Sequence, residues 1–209
     1  TEEFQAMFSV RGKALYTKMD FLFKMIGEIL NSSKLEDTKR LYEIVASVKS
    51  RAQVNLTGAG HSTAVLRAAA YSSPMAAFQD EMAGIGYYQF IEKLEKDFEQ
   101  RKEETVEELC KLMKKILRPE NFMISYTGER ESLETVQKLA GTVKAGLGTE
   151  PVEKSKEKLT CTKKNEGFKT SGQVQYVAQT GNFKKKGLEY TGALEILKVI
   201  LSYDYLWQN

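Results

Sequence analysis

Apolar residues fall at helical spacing along most of this chain. Leu15, Met19, Leu22, Phe23, Ile26 and Leu30 share one face, and Lys18, Lys24 and Glu28 lie mostly off it, which predicts an amphipathic helix. Leu41, Ile44, Val45, Val48, Ala52 and Leu56 repeat the spacing. Ahead of them, Ser33-Lys34-Leu35-Glu36 has the form of a capping box, in which two side chains satisfy two orphan backbone N–H groups. Gly58-Ala59-Gly60 is expected to end that helix, since glycine accepts the left-handed conformation of a helix C-terminus. His61 to Tyr71 is small and alanine-rich, suited to close helix packing. Ser72-Ser73-Pro74 stops it and opens the next helix, with Pro74 at the first helical position. Gly84-Ile85-Gly86 breaks the pattern again. Tyr88, Ile91, Leu94 and Phe98, then Val106, Leu109, Met113, Ile116 and Leu117, carry it to Arg118-Pro119.

Three stretches alternate with period two, the signature of a half-buried strand. Phe4, Ala6, Phe8 and Val10 define one over 3–12; Phe122, Ile124 and Tyr126 a second over 120–127; Val174, Tyr176 and Ala178 a third over 172–180. The predicted fold class is therefore α+β: helices packed on one face of a small, mainly antiparallel sheet, with helix dominating 14–117. Beyond the second strand, Val136, Leu139, Ala140 and Val143 mark another helix, closed by Gly146 and Gly148. Residues 149–166 are rich in Lys and Glu with few apolar anchors and read as a charged linker. Thr180-Gly181-Asn182 is a turn and Lys184-Lys185-Lys186 a solvated loop. Tyr190, Leu194, Leu197, Leu201 and Tyr205 predict a last amphipathic helix running to Trp207. A start in a strand and a stop at an uncapped aromatic helix are expected of a piece cut from a longer chain.

Composition narrows the function classes. The chain has 209 residues, 42 % hydrophobic and 28 % charged, which suits an ordinary folded domain with a sizeable core. Its net charge of +3 is small and its charges are interleaved, against a nucleic-acid binder with a concentrated basic face. No apolar run approaches the ~18 residues of a membrane span, and no signal-peptide pattern opens the chain. Cys110 and Cys161 lie far apart and read as reduced thiols. The expectation is a soluble protein of a reducing compartment, cytoplasmic or alternatively the mitochondrial matrix.

Candidate chemistry is sparse. His61 is the only histidine, and its neighbours at helical spacing, Ala64 and Val65, are not ligands, so no zinc set is readable. Glu103-Glu104 and Glu107-Glu108 interleave with Lys102 and Lys111 as on a solvated helix face. Gly84-x-Gly86 is too short for a phosphate cradle. The serines near His61 have no elbow motif or acid orienter. No catalytic and no metal-binding residue is assigned. The one substrate-binding candidate is Tyr176, on a strand over Gln173–Gln179 that could offer a polar face to a peptide.

Several landmarks nevertheless occur together and in order: Phe8-Ser9-Val10-Arg11-Gly12-Lys13-Ala14-Leu15, Gly60-His61, Ala68-Ala69-Ala70-Tyr71-Ser72-Ser73-Pro74, Gly84-Ile85-Gly86-Tyr87-Tyr88-Gln89-Phe90, and Gln175-Tyr176-Val177 leading to Tyr205-Leu206-Trp207. As a set they resemble the C-terminal half of the pitrilysin/insulinase superfamily of zinc metallopeptidases, in its presequence-protease branch. The resemblance implies a parent of related α/β domains in two halves that close around a peptide. Its zinc motif, His-x-x-Glu-His, lies in the first domain and has no counterpart here. Zinc is thus expected in the parent and no cofactor in this fragment. The family's Arg and Tyr, in a Gly-Gly-Ala-Tyr-type segment, would follow the helix ending at Trp207, beyond Asn209. By the same resemblance, residues 1–148 match the later part of the third domain and 167–209 the start of the fourth, with 149–166 as linker. The implied role is a non-catalytic fragment, inactive alone, that forms chamber wall and scaffold. Its partners would be the remainder of the parent chain and the parent's peptide substrates, with no nucleic acid and no membrane. Unpaired strand edges or the Tyr203–Trp207 surface would allow self-association. The alternative is a stand-alone helical protein-interaction module with no enzymatic role.

Overall fold

The computed structural model describes residues 4–152, 159, 161–170 and 173–205. In chain order the α-helices are α1 (Met19–Ser32), α2 (Thr38–Gly58), α3 (Gly60–Ala70), α4 (Pro74–Ala83), α5 (Ile85–Lys96), α6 (Phe98–Ile116), α7 (Leu133–Ala145) and α8 (Gly192–Val199). Short 3-10 turns cover Tyr16–Lys18, Pro119–Asn121, Arg130–Ser132 and Phe183–Lys186, and a π-helical turn, Ile200–Tyr205, extends α8. The last of the 3-10 turns ends at Gly187, whose φ of 79° is a left-handed conformation that favours glycine. Among the described residues no helix is long and apolar enough to cross a membrane.

The expected sheet is absent: no strand forms among the described residues, so the α+β assignment with a mainly antiparallel sheet is wrong for them. Residues 4–12 and 173–180 carry no regular structure, and 120–127 begins in a 3-10 turn and continues irregularly. Alternation specifies which side chains would share a face if the backbone were extended. A ladder also needs a second row of N–H and C=O groups, and nothing in a local pattern supplies it. Without that partner the apolar positions stay in solvent: Met7 and Phe8 are exposed, and Val177 is 88 % exposed. Tyr126 instead turns toward the next helix, its hydroxyl 2.8 Å from that of Ser132. The helical expectation over 14–117 holds through α1 to α6.

Helix boundaries show which local signals compete successfully. Ser33 does not open α2; its hydroxyl donates back to the Ile29 carbonyl at 2.7 Å and it closes α1. Asp37 caps α2, accepting from the Arg40 N–H at 2.9 Å. A carboxylate beside the positive end of a helix combines a charge-assisted bond with the dipole and displaces the weaker serine cap. Ser73 does cap α4, accepting from the Ala76 N–H with Pro74 behind it.

Backbone contacts divide the chain into two compact units. One comprises Phe4–Val54 and Tyr88–Lys158. Here α1 packs on α7, and Met19, Val45, Ile91, Phe98, Val136, Ala140, Val143 and Leu147 are buried. Phe98 is 1 % exposed and its ring meets Tyr42 at 5.4 Å between centroids, tilted by 51°. Lys49 and Glu95 form an ion pair at 2.6 Å. On α6, Lys111 pairs with Glu107 and Glu108, and Arg101 with Glu104, all on solvated surface. Arg118 is buried, and it binds Glu120 and the Glu150 carbonyl. The charged-linker expectation over 149–166 falls partly on residues 153–158 and 160, outside the described residues.

The other unit comprises Asn55–Tyr87 and Leu159–Asn209. Its α3 and α4 form a closely packed helical pair, with the small residues Ala70 and Ala76 buried. Asn182 donates to the Ser72 carbonyl at the corner between them, at 3.3 Å. Beyond this, α8 and its π-helical extension leave Ile196, Leu197, Val199, Ile200, Leu201 and Tyr203 exposed. The expected continuation to Trp207 lies outside the described residues.

Candidate functional site

The most concentrated polar chemistry among the described residues lies in the α3–α4 unit. Ala76 and Asp80 occupy one buried stripe of α4, a full helical turn apart, so the apolar face of this helix carries a carboxylate. Asp80 is 1 % exposed. Such a group needs compensation, because an unpaired buried charge is costly. Two sources supply it. Backbone N–H groups of Ile85 and Gly86, at the start of α5, donate to its two oxygens, each at 3.1 Å. The guanidinium of Arg67, from the last turn of α3, donates through Nη1 at 2.6 Å. An anion at a helix N-terminus also gains from the dipole.

This explains Gly84-x-Gly86. A Cβ on Gly84 would stand 2.3 Å from Asp80 Oδ1, and one on Gly86 would stand 2.8 Å from Oδ2. The pair of glycines is a cradle for an anion after all, and the anion is the chain's own carboxylate.

Arg67 has a second set of partners. Its Nε lies 2.9 Å from both the Tyr71 hydroxyl and Glu166 Oε2, and its Nη2 reaches Glu166 Oε1 at 3.5 Å. The Tyr71 hydroxyl donates to the same Glu166 carboxylate. The guanidinium carbon lies 5.4 Å from the ring centre of Tyr71 and 5.7 Å from that of Phe168, within cation–π range. Burial alone pulls the guanidinium down, but its bonds to Glu166 and Asp80 and their charges outweigh this and raise it above its ordinary value. The node therefore holds carboxylates with a fixed cation. It has no group placed to act as nucleophile or base.

Tyr176 sits apart from this node, on an irregular segment rather than the expected strand, and is 47 % exposed. Its ring lies across the start of α3. A Cβ on Gly60 would be 2.4 Å from its Cε2, and the His61 ring centre is 6.3 Å away at a 50° tilt. Gly60 thus permits the approach, and His61 faces an aromatic ring. Among the described residues no three His, Cys, Asp or Glu side chains converge so as to hold a metal ion. Cys110 and Cys161 are both free thiols. The residues present do not fit the zinc that the resemblance implies for a parent enzyme, and no chemical step is derived through it.

The Arg67–Asp80–Glu166 node is not among the residues that sequence patterns single out. A usable signal was present: Asp80 is an acid on the helix face that Ala76 buries, and it stands four residues ahead of a glycine pair.

Comparison with known proteins bears out the resemblance. Residues 1–94 match the family model of a region associated with peptidases of family M16, subfamily C. Protein HypA of Clostridium perfringens (strain 13 / Type A) is 33 % identical over 205 residues, covering 98 % of this chain and 21 % of that protein. Presequence protease 1, chloroplastic/mitochondrial, of Arabidopsis thaliana is 26 % identical over 204 residues, covering 96 % of this chain and 19 % of that protein. The mitochondrial presequence protease of Yarrowia lipolytica (strain CLIB 122 / E 150) is 25 % identical over 210 residues, covering 97 % and 21 % respectively. The chain spans about a fifth of the length of these curated relatives. These likenesses identify the chain as a stretch of M16-family peptidase sequence of the presequence-protease kind, with the peptidase-associated region over residues 1–94.

Proposed function

We propose that this chain is a non-catalytic part of a zinc-dependent peptidase that degrades peptides in a closed chamber, and that it forms wall and scaffold there. The observation that carries this reading is similarity along 96 % and 97 % of the chain to two much longer presequence proteases. Residues 1–148 then belong to the third domain of the parent and 167–209 to the fourth, and the metal is held by another part of the parent. The exposed apolar side chains of α8 and its extension, from Ile196 to Tyr203, support a surface completed by the remainder of that longer chain. Chamber walls need rigid surfaces that exclude water and position a substrate, and they need no reactive groups. Tyr176, half exposed and braced on Gly60 and His61, is the candidate wall residue. The parent would work in the cytoplasm or the mitochondrial matrix.

The test has two arms. The 209-residue chain alone is assayed for bound zinc and for cleavage of a fluorogenic peptide. Neither is expected. One tight zinc per chain, lost together with activity in His61→Ala, refutes the reading. In the full-length parent, Tyr176→Ala is expected to slow peptide cleavage, and an unchanged rate removes Tyr176 from the wall. The all-helical character of the described residues favours a second reading, a helical protein-interaction module. A full-length gene without His-x-x-Glu-His would decide for it.

A further inference from the structure

The geometry points to a binding site for an extended acidic-x-aromatic peptide segment on α3, built by Arg67 and Tyr71 and filled in this structure by the chain's own Glu166-Gly167-Phe168. Residues 162–170 are irregular and exposed along their backbone. Glu166 is the part that sinks inward: its side chain is 27 % exposed, against 18 % for Arg67. Its carboxylate takes Nε and Nη2 of Arg67 and the Tyr71 hydroxyl, and two residues later Phe168 lies over the guanidinium face. An anionic anchor with an aromatic cover is the form in which arginine recognises a peptide ligand.

The receptor half persists without the ligand half. Asp80 holds Nη1 and is itself held by the N–H groups of Ile85 and Gly86. Because the α5 N-terminus carries part of the compensation for Asp80, the cation retains charge for a second carboxylate. Arg67 is therefore pre-organised, and pre-organisation lowers the cost of binding. Tyr71, the residue that ends α3, is packed beside the guanidinium and presents its hydroxyl to the same place. Glu166 lies 99 residues from Arg67 in sequence, so occupancy is a long-range docking event and not a helix-surface pair. A resident segment on the same chain competes at an effective concentration on the order of millimolar. A second peptide of the same pattern gains access only when the resident segment leaves.

The experiment uses the whole 209-residue chain and a fluorescein-labelled peptide matching residues 161–170, with Cys161→Ser to prevent oxidation. The site is vacated in Glu166→Gln/Phe168→Ala. Fluorescence anisotropy is expected to show binding to the vacated chain, weaker by about tenfold or more on the wild-type chain. In the vacated background Tyr71→Phe should weaken binding, and a peptide carrying Glu166→Gln should bind at least about tenfold more weakly. Tyr71→Phe leaves the Arg67–Asp80 bond in place, so this arm stands if Arg67 variants fail to fold. Equal binding to wild-type and vacated chains, equal binding of the Glu166→Gln peptide, or no binding to a vacated chain with unaltered circular dichroism would overturn the proposal.

Discussion

Gly86→Ala has a sign that depends on Asp80. In isolation the change should help, since alanine is the better helix former by about 1 kcal/mol in a helix interior and by less in a first turn such as this. In place it should hurt. The new Cβ would lie 2.8 Å from Asp80 Oδ2, and that oxygen is pinned by Arg67 at 2.6 Å and by the Gly86 N–H at 3.1 Å. Shifting it lengthens two charge-assisted bonds in a site with no exposure to spare, so the overpacking range of about 1–3 kcal/mol applies. The other close atoms, at the end of the Glu81 side chain, belong to an exposed residue and can swing away. In an Asp80→Ala background the obstructing oxygen is gone, and Gly86→Ala should become neutral or stabilising by up to about 1 kcal/mol. The coupling between the two positions is then about 2 kcal/mol, well above the additive range for independent sites. Urea unfolding followed by far-UV circular dichroism measures all four corners of the cycle, provided m stays constant between them. Gly84 is the internal control. A Cβ there would also meet the Asp80 Cα at 2.9 Å, so Gly84→Ala should stay destabilising in both backgrounds. Equal effects of Gly86→Ala with and without Asp80 would refute the view that the glycine cradles the carboxylate.

Three further outcomes follow from the same structure. Arg67→Met strands a buried carboxylate that retains only its two backbone donors, and should cost about 3 kcal/mol in urea unfolding; a cost below about 0.5 kcal/mol would mean the pair is dispensable. Gly60→Ala drives a methyl into the Tyr176 ring, so the ring must move, and loss of the Tyr176 contribution to near-UV circular dichroism with little change in α3 helicity is the expected readout; an unchanged spectrum counts against the contact. Tyr88 donates to Glu92 at 2.8 Å, and this bond first, burial second, lifts its phenol above the ordinary 10.0. A raised folded-state value stabilises below the unfolded value and is lost as pH rises through the folded one. The stability deficit of Tyr88→Phe should therefore be full near pH 8 and shrink above about pH 10, and a deficit that grows with pH would contradict the assignment.

The part of this fold that was legible in the sequence is the part whose causes are local. Helices α1 to α6 follow from apolar spacing, and the α3–α4 corner from Ser73-Pro74, because a helix satisfies its backbone within a few residues of itself. Even there a local signal could lose to a nearer one: Ser33 has the right partner three residues on, yet Asp37 caps α2. The three predicted strands failed for the opposite reason. Phe4 to Val10, Phe122 to Tyr126 and Val174 to Ala178 alternate correctly, but a strand is a relation between two segments, and one segment's pattern contains only half of it. The node on α3 failed in the same way and more instructively. Arg67, Asp80, Gly86 and Glu166 are ordinary residues in their own neighbourhoods, and only the packed α3–α4 pair and the distant 161–170 segment make them one site. What a single sequence does betray is conflict. An acid on the Ala76 face of α4 opposes the burial of that face, and a glycine pair at the start of α5 gives up helix propensity. Each conflict alone looks like a minor fault. They lie within a turn or two of each other, and each is relieved by the other: the glycines make room for the carboxylate, and the carboxylate caps the helix that the glycines open.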